Sequence, residues 1–310
     1  MNDLKPINRT KLFGLDNFFF EFVNLFEKNN LPSKILLSGQ KGLGKSTLAY
    51  HFINYVLSKN EEFGYDIKNF EININNRSFK TTINKSNLNL FLIDTDPEKK
   101  TIDISQIRNL ISNLNKSSLN TKPRFVLIDN VEFLNTNSVN ALLKIIEEPN
   151  HNVHFILINN DKKVLPTLSS RCINFKIYLN YEDILTISNK LLDGKLNETI
   201  NKDLINYYLT PGNIYNLAKF GENNKYKLID LDLKNLLKLI IKENHYKKDL
   251  LIKDFVYDLV EFYFRKINFN FSSNIYKKYS YFLKRISDTK RFNLDQESLF
   301  IELEEEILNG

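Results

Sequence analysis

A short glycine-rich stretch has the residue types and the spacing of a phosphate-binding loop. It reads GQKGLGKS from Gly39 to Ser46 and matches the pattern G-x-x-x-x-G-K-[ST]. Glycines let the backbone curl so that its N–H groups converge on phosphate oxygens, and a following helix adds the positive end of its dipole. Lys45 can reach the outer phosphates, and the Ser46 hydroxyl can ligate Mg²⁺. The candidate nucleotide-binding residues here are Gly39, Gly42, Gly44, Lys45, Ser46 and Thr47.

A second candidate lies at the end of the apolar run FVLID, where Asp129 is followed by Asn130. In a phosphate-loop fold, an aspartate at such a strand end lies across from the loop serine and helps to hold Mg²⁺. The alternative for Asp129 is an ordinary turn residue, and the alternative for the loop is a glycine-rich turn without a ligand. Together the two motifs favour a magnesium–nucleotide site that uses Ser46 and Asp129.

Asn130 stands where a second acid could activate the attacking water. An amide can hydrogen-bond water but cannot accept its proton. Glu132 could replace the missing acid only if the backbone turned to aim its side chain into the site. The sequence therefore predicts slow or absent hydrolysis by this chain, even with a nucleotide bound.

The elements that must position these residues alternate between strand-like and helix-like patterns. Continuous apolar runs suit strands that are buried on both faces of a parallel sheet. The predicted strands are residues 34–39, 88–94, 124–129, 153–159 and 173–179. Between them, residues 46–57 and 138–149 have helical spacing, and the second of these ends at Pro149. This alternation predicts a five-stranded parallel sheet with helices on both faces.

The rest of the chain divides by pattern into further regions. Residues 60–87 are polar and predicted to be an irregular surface insertion. After Leu179 strand patterns cease, and short helices broken at Pro211-Gly212 precede longer amphipathic helices from about Asp230. The predicted domains are an α/β core at 1–178, a small helical domain at 179–226 and a helical C-terminal domain at 227–310. The last helix carries its apolar residues at four-residue steps, at Leu299, Leu303 and Ile307.

Composition narrows the class of protein. The chain has 310 residues, a net charge of +6 and a single cysteine, Cys172. One cysteine excludes an intramolecular disulfide framework and a four-cysteine zinc site within one chain. No stretch approaches the roughly 20 apolar residues that span a bilayer, and no signal-peptide pattern opens the sequence. We expect a cytoplasmic protein without a membrane partner, and the modest lysine excess leaves DNA contact open.

Two segments carry a family resemblance. LIDNVEFLNTNSVNALLKIIEEPN followed by VHFILINNDKKVLPTLSSRC resembles the AAA+ subunits of bacterial clamp loaders, and among them the delta-prime subunit of DNA polymerase III. The similarity runs from Leu12 to about Cys172 and is weak in the last 130 residues. It implies a P-loop AAA+ core, a small helical lid domain and an all-α collar domain that joins neighbouring subunits.

The resemblance also implies residue roles and partners. Lys45, Ser46 and Asp129 would bind ATP or ADP with Mg²⁺, and Asn159 would occupy the position that senses the outer phosphate. Arg171, in Ser-Arg-Cys, would be an arginine finger acting in trans on a neighbour's nucleotide. The implied partners are the gamma or tau motor subunit, the delta subunit, the sliding clamp and primed DNA, in a hetero-pentameric complex that serves DNA replication. The alternatives are a surface arginine at 171 and a turn residue at 159.

Three departures from active relatives shape the expected function. Asn130 replaces the acid, and the lid segment LTPGNIYN has Asn213 or Ile214 where active relatives carry an arginine. The cysteines of a zinc module are missing from residues 60–87, so no zinc is predicted. We expect a weakly hydrolysing or non-hydrolysing subunit without polymerase activity of its own. The alternatives are an ATP-hydrolysing motor subunit of the same family and, in a different class, a P-loop kinase of small molecules.

Overall fold

A computed structural model describes residues 4–95, 101–116, 120–148, 152–253, 255–267, 273–292 and 294–308. The chain divides into two compact units, Asn2–Asp183 and Ile184–Gly310. The first unit therefore ends a few residues beyond the boundary predicted at 178. A further division of the second unit near residue 226 stays a prediction.

The first unit is built on one five-stranded sheet in which all neighbouring strands are parallel. The strands are β1 (Lys34–Ser38), β2 (Leu90–Ile93), β3 (Arg124–Ile128), β4 (Val153–Asn159) and β5 (Ile173–Lys176). Their order across the sheet is β2-β3-β4-β1-β5. All five predicted strands are confirmed, and β1 lies beside β4 so that the loops after them share one edge of the sheet.

Helices cover both faces of this sheet, as predicted. The helices of the first unit are α1 (Asp16–Glu27), α2 (Lys45–Ser58), α3 (Arg77–Ile83), α4 (Ile104–Leu114), α5 (Thr136–Glu147) and α6 (Pro166–Ser169). One face packs Leu37 and Leu127 against α1 and α2. The opposite face packs Leu36 and Val126 against α4 and α5. Alternate residues of the same strand thus serve two cores, which is why the strands read as continuous apolar runs.

The predicted helices at 46–57 and 138–149 correspond to α2 and α5. Asn135 caps the start of α5, because its side chain accepts a hydrogen bond from the Ser138 N–H. The helix ends at Glu147, and Pro149 lies outside the described residues.

Residues 60–87 are more regular than the sequence predicted. They contain α3, and their buried side chains include Phe79 and Asn76. The Asn76 side chain caps α3 and exchanges amide hydrogen bonds of 3.3 Å with Asn54 of α2. The prediction of irregular structure is wrong at residues 77–83, where the buried Asn76 amide is fully paired and holds the start of this helix against α2.

The second unit is helical in its described part. Its helices are α7 (Tyr181–Leu191, which begins in the first unit), α8 (Leu196–Thr199), α9 (Pro211–Asn224), α10 (Leu233–Lys242), α11 (His245–Lys248), α12 (Leu250–Lys253), α13 (Val256–Ile267), α14 (Ser273–Phe292) and α15 (Gln296–Leu303). Pro211 begins α9 rather than breaking it, because a proline at the first helical position lacks only an N–H that would be unpaired anyway. None of the helices in the described residues combines the length and apolar character that a bilayer-spanning segment needs.

The end of the chain departs from the predicted four-residue periodicity. Leu299 and Leu303 are buried as predicted, but α15 continues into a π-helical turn at Glu304–Leu308. A π turn adds one residue per turn, so the next buried position is Leu308 and Ile307 is only half-buried.

Candidate nucleotide site

The loop between β1 and α2 has the backbone that a phosphate cradle requires. Gly39, Gly42 and Gly44 have φ angles of 144°, 89° and 90°, which L-residues with side chains rarely adopt. A Cβ atom on Gly39 would lie 2.4 Å from the carbonyl oxygen of Ile177. Gly44 precedes the first turn of α2, where Thr47 is half-buried. The loop therefore needs glycine at position 39 for both conformation and space, and at positions 42 and 44 for conformation.

Lys45 points into the curl of this loop and is almost fully buried. Its ammonium donates hydrogen bonds to the carbonyl oxygens of Gly39 at 2.8 Å and Gln40 at 2.6 Å. Burial lowers the pKa of Lys45 to about 8, against the opposing attraction of Asp129, Glu132 and Asp161. A cation held here at the start of a helix is placed to meet phosphate oxygens.

Asp129 lies across from Ser46, as the sequence predicted. The Ser46 hydroxyl donates to Asp129 Oδ2 at 2.5 Å, and the Asn130 backbone N–H donates to Oδ1 at 2.8 Å. Burial raises the pKa of Asp129; the Ser46 bond opposes this rise and the charge of Asp94 adds to it. A hydroxyl and a carboxylate at this spacing form an oxygen donor set that fits Mg²⁺.

Asn130 is more than a substitute for an acid. It adopts a left-handed conformation, with φ of 58° and ψ of 47°. Its side-chain Nδ2 donates to Asp94 Oδ1 at 2.7 Å, and its Oδ1 accepts from Asn160 Nδ2 at 2.8 Å. The amide therefore joins the loops that follow β2, β3 and β4. Asp94 and Asn160 were not singled out as site residues; their only signal was that each follows a predicted strand.

Glu132 lies on the 3₁₀ turn Val131–Phe133, which follows the left-handed Asn130. This turn changes the direction of the backbone after Asn130, as Glu132 would require in order to replace the missing acid. Its Oε2 accepts from the Asn160 backbone N–H at 3.3 Å, while its Oε1 is buried without a hydrogen-bond partner among the described residues. One oxygen of Glu132 is thus committed to fastening the loop after β4.

Asn159 ends β4 opposite Ser38 of β1, so it lies at the same sheet edge as the phosphate loop. Its Nδ2 donates to the Lys162 carbonyl at 3.0 Å, and its Oδ1 accepts from the Lys162 N–H at 3.2 Å. The side chain therefore closes the turn after β4. A role in sensing the outer phosphate stays a prediction.

Arg171 lies at the opposite edge of the sheet, where the strands begin. It precedes β5, whose first residue Ile173 pairs with Ile35 at the start of β1. Its Nε and Nη2 lie 2.9 and 2.7 Å from Glu147 Oε1, and its Nη1 donates to the Thr167 carbonyl at 2.8 Å. The Arg171 side chain is 37% exposed and that of Glu147 is 50% exposed. Arg171 is thus a surface cation, apart from the loop that holds Lys45.

Comparisons with known proteins agree with this geometry. A family model described as "DNA polymerase III, delta subunit" matches residues 15–180. DNA polymerase III subunit gamma of Buchnera aphidicola subsp. Schizaphis graminum is 30% identical over 194 residues, which cover 61% of this chain and 50% of that protein. Subunit delta' of Buchnera aphidicola subsp. Baizongia pistaciae is 32% identical over 149 residues, or 46% and 43% of the two chains.

Among solved structures, a DNA polymerase III gamma subunit-related protein of Thermotoga maritima has the same fold, with a TM-score of 0.51. The match has 18% identity and covers 90% of this chain and 96% of that one. The chain spans about half the length of the curated relatives it matches.

Proposed function

Because the chain belongs to the DNA polymerase III delta subunit family and is a clamp-loader subunit with an AAA+ fold, we propose that it is of the delta-prime type. In this proposal it binds ATP or ADP with Mg²⁺ but hydrolyses it weakly or not at all. It supplies Arg171 to the ATP of a neighbouring motor subunit. The complex then places a sliding clamp on primed DNA during replication.

The observation that carries this proposal is the position of Arg171. The ladder between β1 and β5 runs from Ile35 opposite Ile173 to Ser38 opposite Lys176. The phosphate loop follows Ser38, whereas Arg171 precedes Ile173, so the ladder alone separates them by about 10 Å. An arginine at the far edge of the sheet is poorly placed for its own chain's nucleotide. It is well placed for a nucleotide that another subunit brings to this edge.

The contacts of Arg171 suit such an exchange. An exposed ion pair contributes roughly 0–1 kcal/mol, so the bond to Glu147 is readily given up for a phosphate oxygen. A guanidinium offers several donors in a fixed plane and stays charged, which suits stabilisation of charge on a transferring phosphoryl group. Thr167, whose carbonyl also accepts from Arg171, lies on the short helix α6 and sets the direction of the side chain.

The chain's own site supports binding more than turnover. Lys45 provides a cation for the phosphates, and Ser46 and Asp129 provide oxygen ligands for Mg²⁺. The side chain of Asn130 is engaged with Asp94 and Asn160 and cannot accept a proton from water. Glu132, the alternative acid, uses its Oε2 to accept from the Asn160 backbone N–H. In the lid segment Ile214 is buried within its unit and Asn213 carries no charge.

The remaining parts of the proposal concern assembly. Residues 179–226 would form the lid and residues 227–310 a collar that joins the motor subunit and the delta subunit in a hetero-pentamer. Contacts with primed DNA would be to backbone and shape rather than to sequence. The complex would work in the bacterial cytoplasm, and we propose no zinc and no polymerase activity for this chain.

Reconstitution of the clamp loader with Arg171→Ala tests this function. We expect lower DNA-stimulated ATPase and less clamp loading, whereas size-exclusion chromatography should show an intact complex because one rim arginine contributes little to a large interface. Arg108→Ala, which removes an exposed arginine of α4, is the matched control and should have no effect. Unchanged ATPase with Arg171→Ala would rule out the trans role.

A second candidate function is the ATP-hydrolysing motor subunit. It is favoured by the gamma and tau subunits among the curated relatives, one of them 30% identical to this chain. This alternative predicts steady ATP turnover by the isolated chain, abolished by Lys45→Ala. Turnover at or below the background of the Lys45→Ala protein would exclude it.

A further inference from the structure

The side chain of Asn130 forms a bridge with Asp94 and Asn160, which we name the amide bridge. The strand order β2-β3-β4 brings the three loops that carry these residues side by side. Asn130 Nδ2 lies 2.7 Å from Asp94 Oδ1, and Asn130 Oδ1 lies 2.8 Å from Asn160 Nδ2. The bridge therefore crosses the sheet edge at which Asp129 and the phosphate loop lie.

The chemistry of the two neighbours dictates what the central residue must be. The carboxylate of Asp94 accepts a hydrogen bond from the Asn130 Nδ2, so it fixes the orientation of the Asn130 amide. Asn160 presents its NH₂ group, which only donates. The central side chain must donate on one side and accept on the other, which an amide does and a carboxylate cannot. Asparagine also tolerates the left-handed backbone of this position better than most residues.

Asn130 also separates two acids. Its backbone N–H donates to Asp129, while its side chain donates to Asp94. A carboxylate at position 130 would add a third negative charge between these two and remove a donor. The usual acid at this place is therefore incompatible with this particular set of neighbours.

We propose that Asn130 is a positioning residue, which holds the loops after β2, β3 and β4 in place around Asp129 through the amide bridge. The amide is thus a functional part of the magnesium–nucleotide site and not a vestige of a lost acid. This inference rests on the proposed nucleotide binding for its role, but the bridge itself is a feature of the protein alone. It follows that an acid introduced at position 130 weakens the site.

A substitution that adds a negative charge at position 130, made in the full chain, tests the amide bridge. Asn130→Asp keeps the backbone preference but sets a carboxylate against Asp94. We expect the unfolding midpoint to fall by about 4 °C. We also expect the affinity for a fluorescent ATP analogue with Mg²⁺ to fall about tenfold. Asn135→Asp is the matched control, because aspartate caps α5 as well as asparagine does.

The second variant is the double exchange Asp94→Asn with Asn130→Asp. An amide at 94 can donate to a carboxylate at 130, which still accepts from Asn160, so the bridge is rebuilt with reversed polarity. We expect at least half of both losses to be recovered. Asp94→Asn alone should stay close to the wild type, because an amide oxygen can accept from Asn130.

The outcomes separate the bridge from the proposed function. A midpoint of Asn130→Asp equal to that of the wild type, or no recovery in the double exchange, overturns the amide bridge. Absence of nucleotide binding by the wild type would instead remove the proposed binding function. In that case the four unfolding midpoints still decide whether Asp94 and Asn130 are coupled.

Discussion

The parallel sheet has one edge at the carboxyl ends of its strands and an opposite edge at their amino ends, and the two edges are built in different ways. At the edge that follows β1, β3 and β4, the polar residues of the site are bonded to one another or to the backbone, and all but the exposed Asp94 are buried or half-buried. Ser46 holds Asp129, Lys45 is enclosed by loop carbonyls, and Asn130 ties three loops together. At the opposite edge, Arg171 is on the surface and its one acidic partner, Glu147, is more exposed still.

The two kinds of construction suit different tasks: one holds a ligand in place, and the other exposes a charged side chain to a partner. Polar groups that are mostly buried or half-buried and bonded to one another are costly to rearrange, so they suit a site that keeps a ligand in place. An exposed ion pair has little net stability and exchanges partners easily. The difference supports our proposal that one edge retains a nucleotide and the other contacts a neighbouring subunit. Substitutions at each edge, and one in the helix that follows the phosphate loop, test this difference.

The largest expected effect is the loss of nucleotide binding in Lys45→Ala. Removal of a buried ammonium that can make charge-assisted bonds to two phosphates should weaken affinity roughly 1,000-fold, or about 4 kcal/mol. Equilibrium titration of the isolated chain with a fluorescent ATP analogue measures this change. Lys41→Ala removes an exposed lysine from the same loop and should change the affinity less than threefold.

Acid should destabilise the protein through α2, the helix that follows the phosphate loop. His51 of α2 is buried, and its Nδ1 lies 2.8 Å from the Tyr65 hydroxyl, while its Nε2 lies 3.2 Å from the Arg9 carbonyl. The carbonyl can only accept, so Nε2 carries the proton and Nδ1 accepts from Tyr65. Burial lowers the pKa of His51 to about 4.

Because the folded pKa lies below the ordinary value of 6.5, the unfolded chain binds the proton first as the pH falls. The free energy of unfolding should therefore drop between pH 6.5 and pH 4, by about 3 kcal/mol from this residue. Denaturant unfolding at several pH values measures the slope, and His51→Gln should flatten it. An unaltered slope in His51→Gln would show that this histidine of α2 is not the acid-sensitive group.

The smallest expected effect is at the edge that carries Arg171. Glu147→Gln removes the ionic partner of Arg171 and should lower the free energy of unfolding by less than about 1 kcal/mol. Glu148→Gln, one residue further on and also exposed, is the control. A loss of more than about 2 kcal/mol in Glu147→Gln would mean that this edge is as firmly built as the other, and the comparison would fail.

Sequence patterns predicted most of the first unit for a clear reason. Each strand serves two cores, so it appears as a continuous apolar run, and the phosphate loop must follow a strand and open a helix. Asp129 could be paired with Ser46 because both sit at strand or loop ends that a parallel sheet brings together. These features depend on short stretches of sequence and on the rule that the carboxyl ends of parallel strands meet at one edge of the sheet.

Other features depend on pairings between distant residues. Asp94 lies 36 residues before Asn130, and no local pattern links an acid after β2 to an amide after β3. The pairing of Asn54 with Asn76 likewise gives order to a segment whose composition suggested an irregular loop. The π turn after α15 shifts the buried position by one residue, which a fixed period of four cannot anticipate.

We propose that this chain acts on a neighbour's ATP rather than on its own. The DNA-stimulated ATPase of the reconstituted clamp loader, with either Lys45→Ala or Arg171→Ala in this chain and every other subunit unchanged, tests this proposal. Arg171→Ala should lower the rate strongly, whereas Lys45→Ala should leave most of it. A complex that loses its ATPase with Lys45→Ala and keeps it with Arg171→Ala would show that this chain hydrolyses its own ATP.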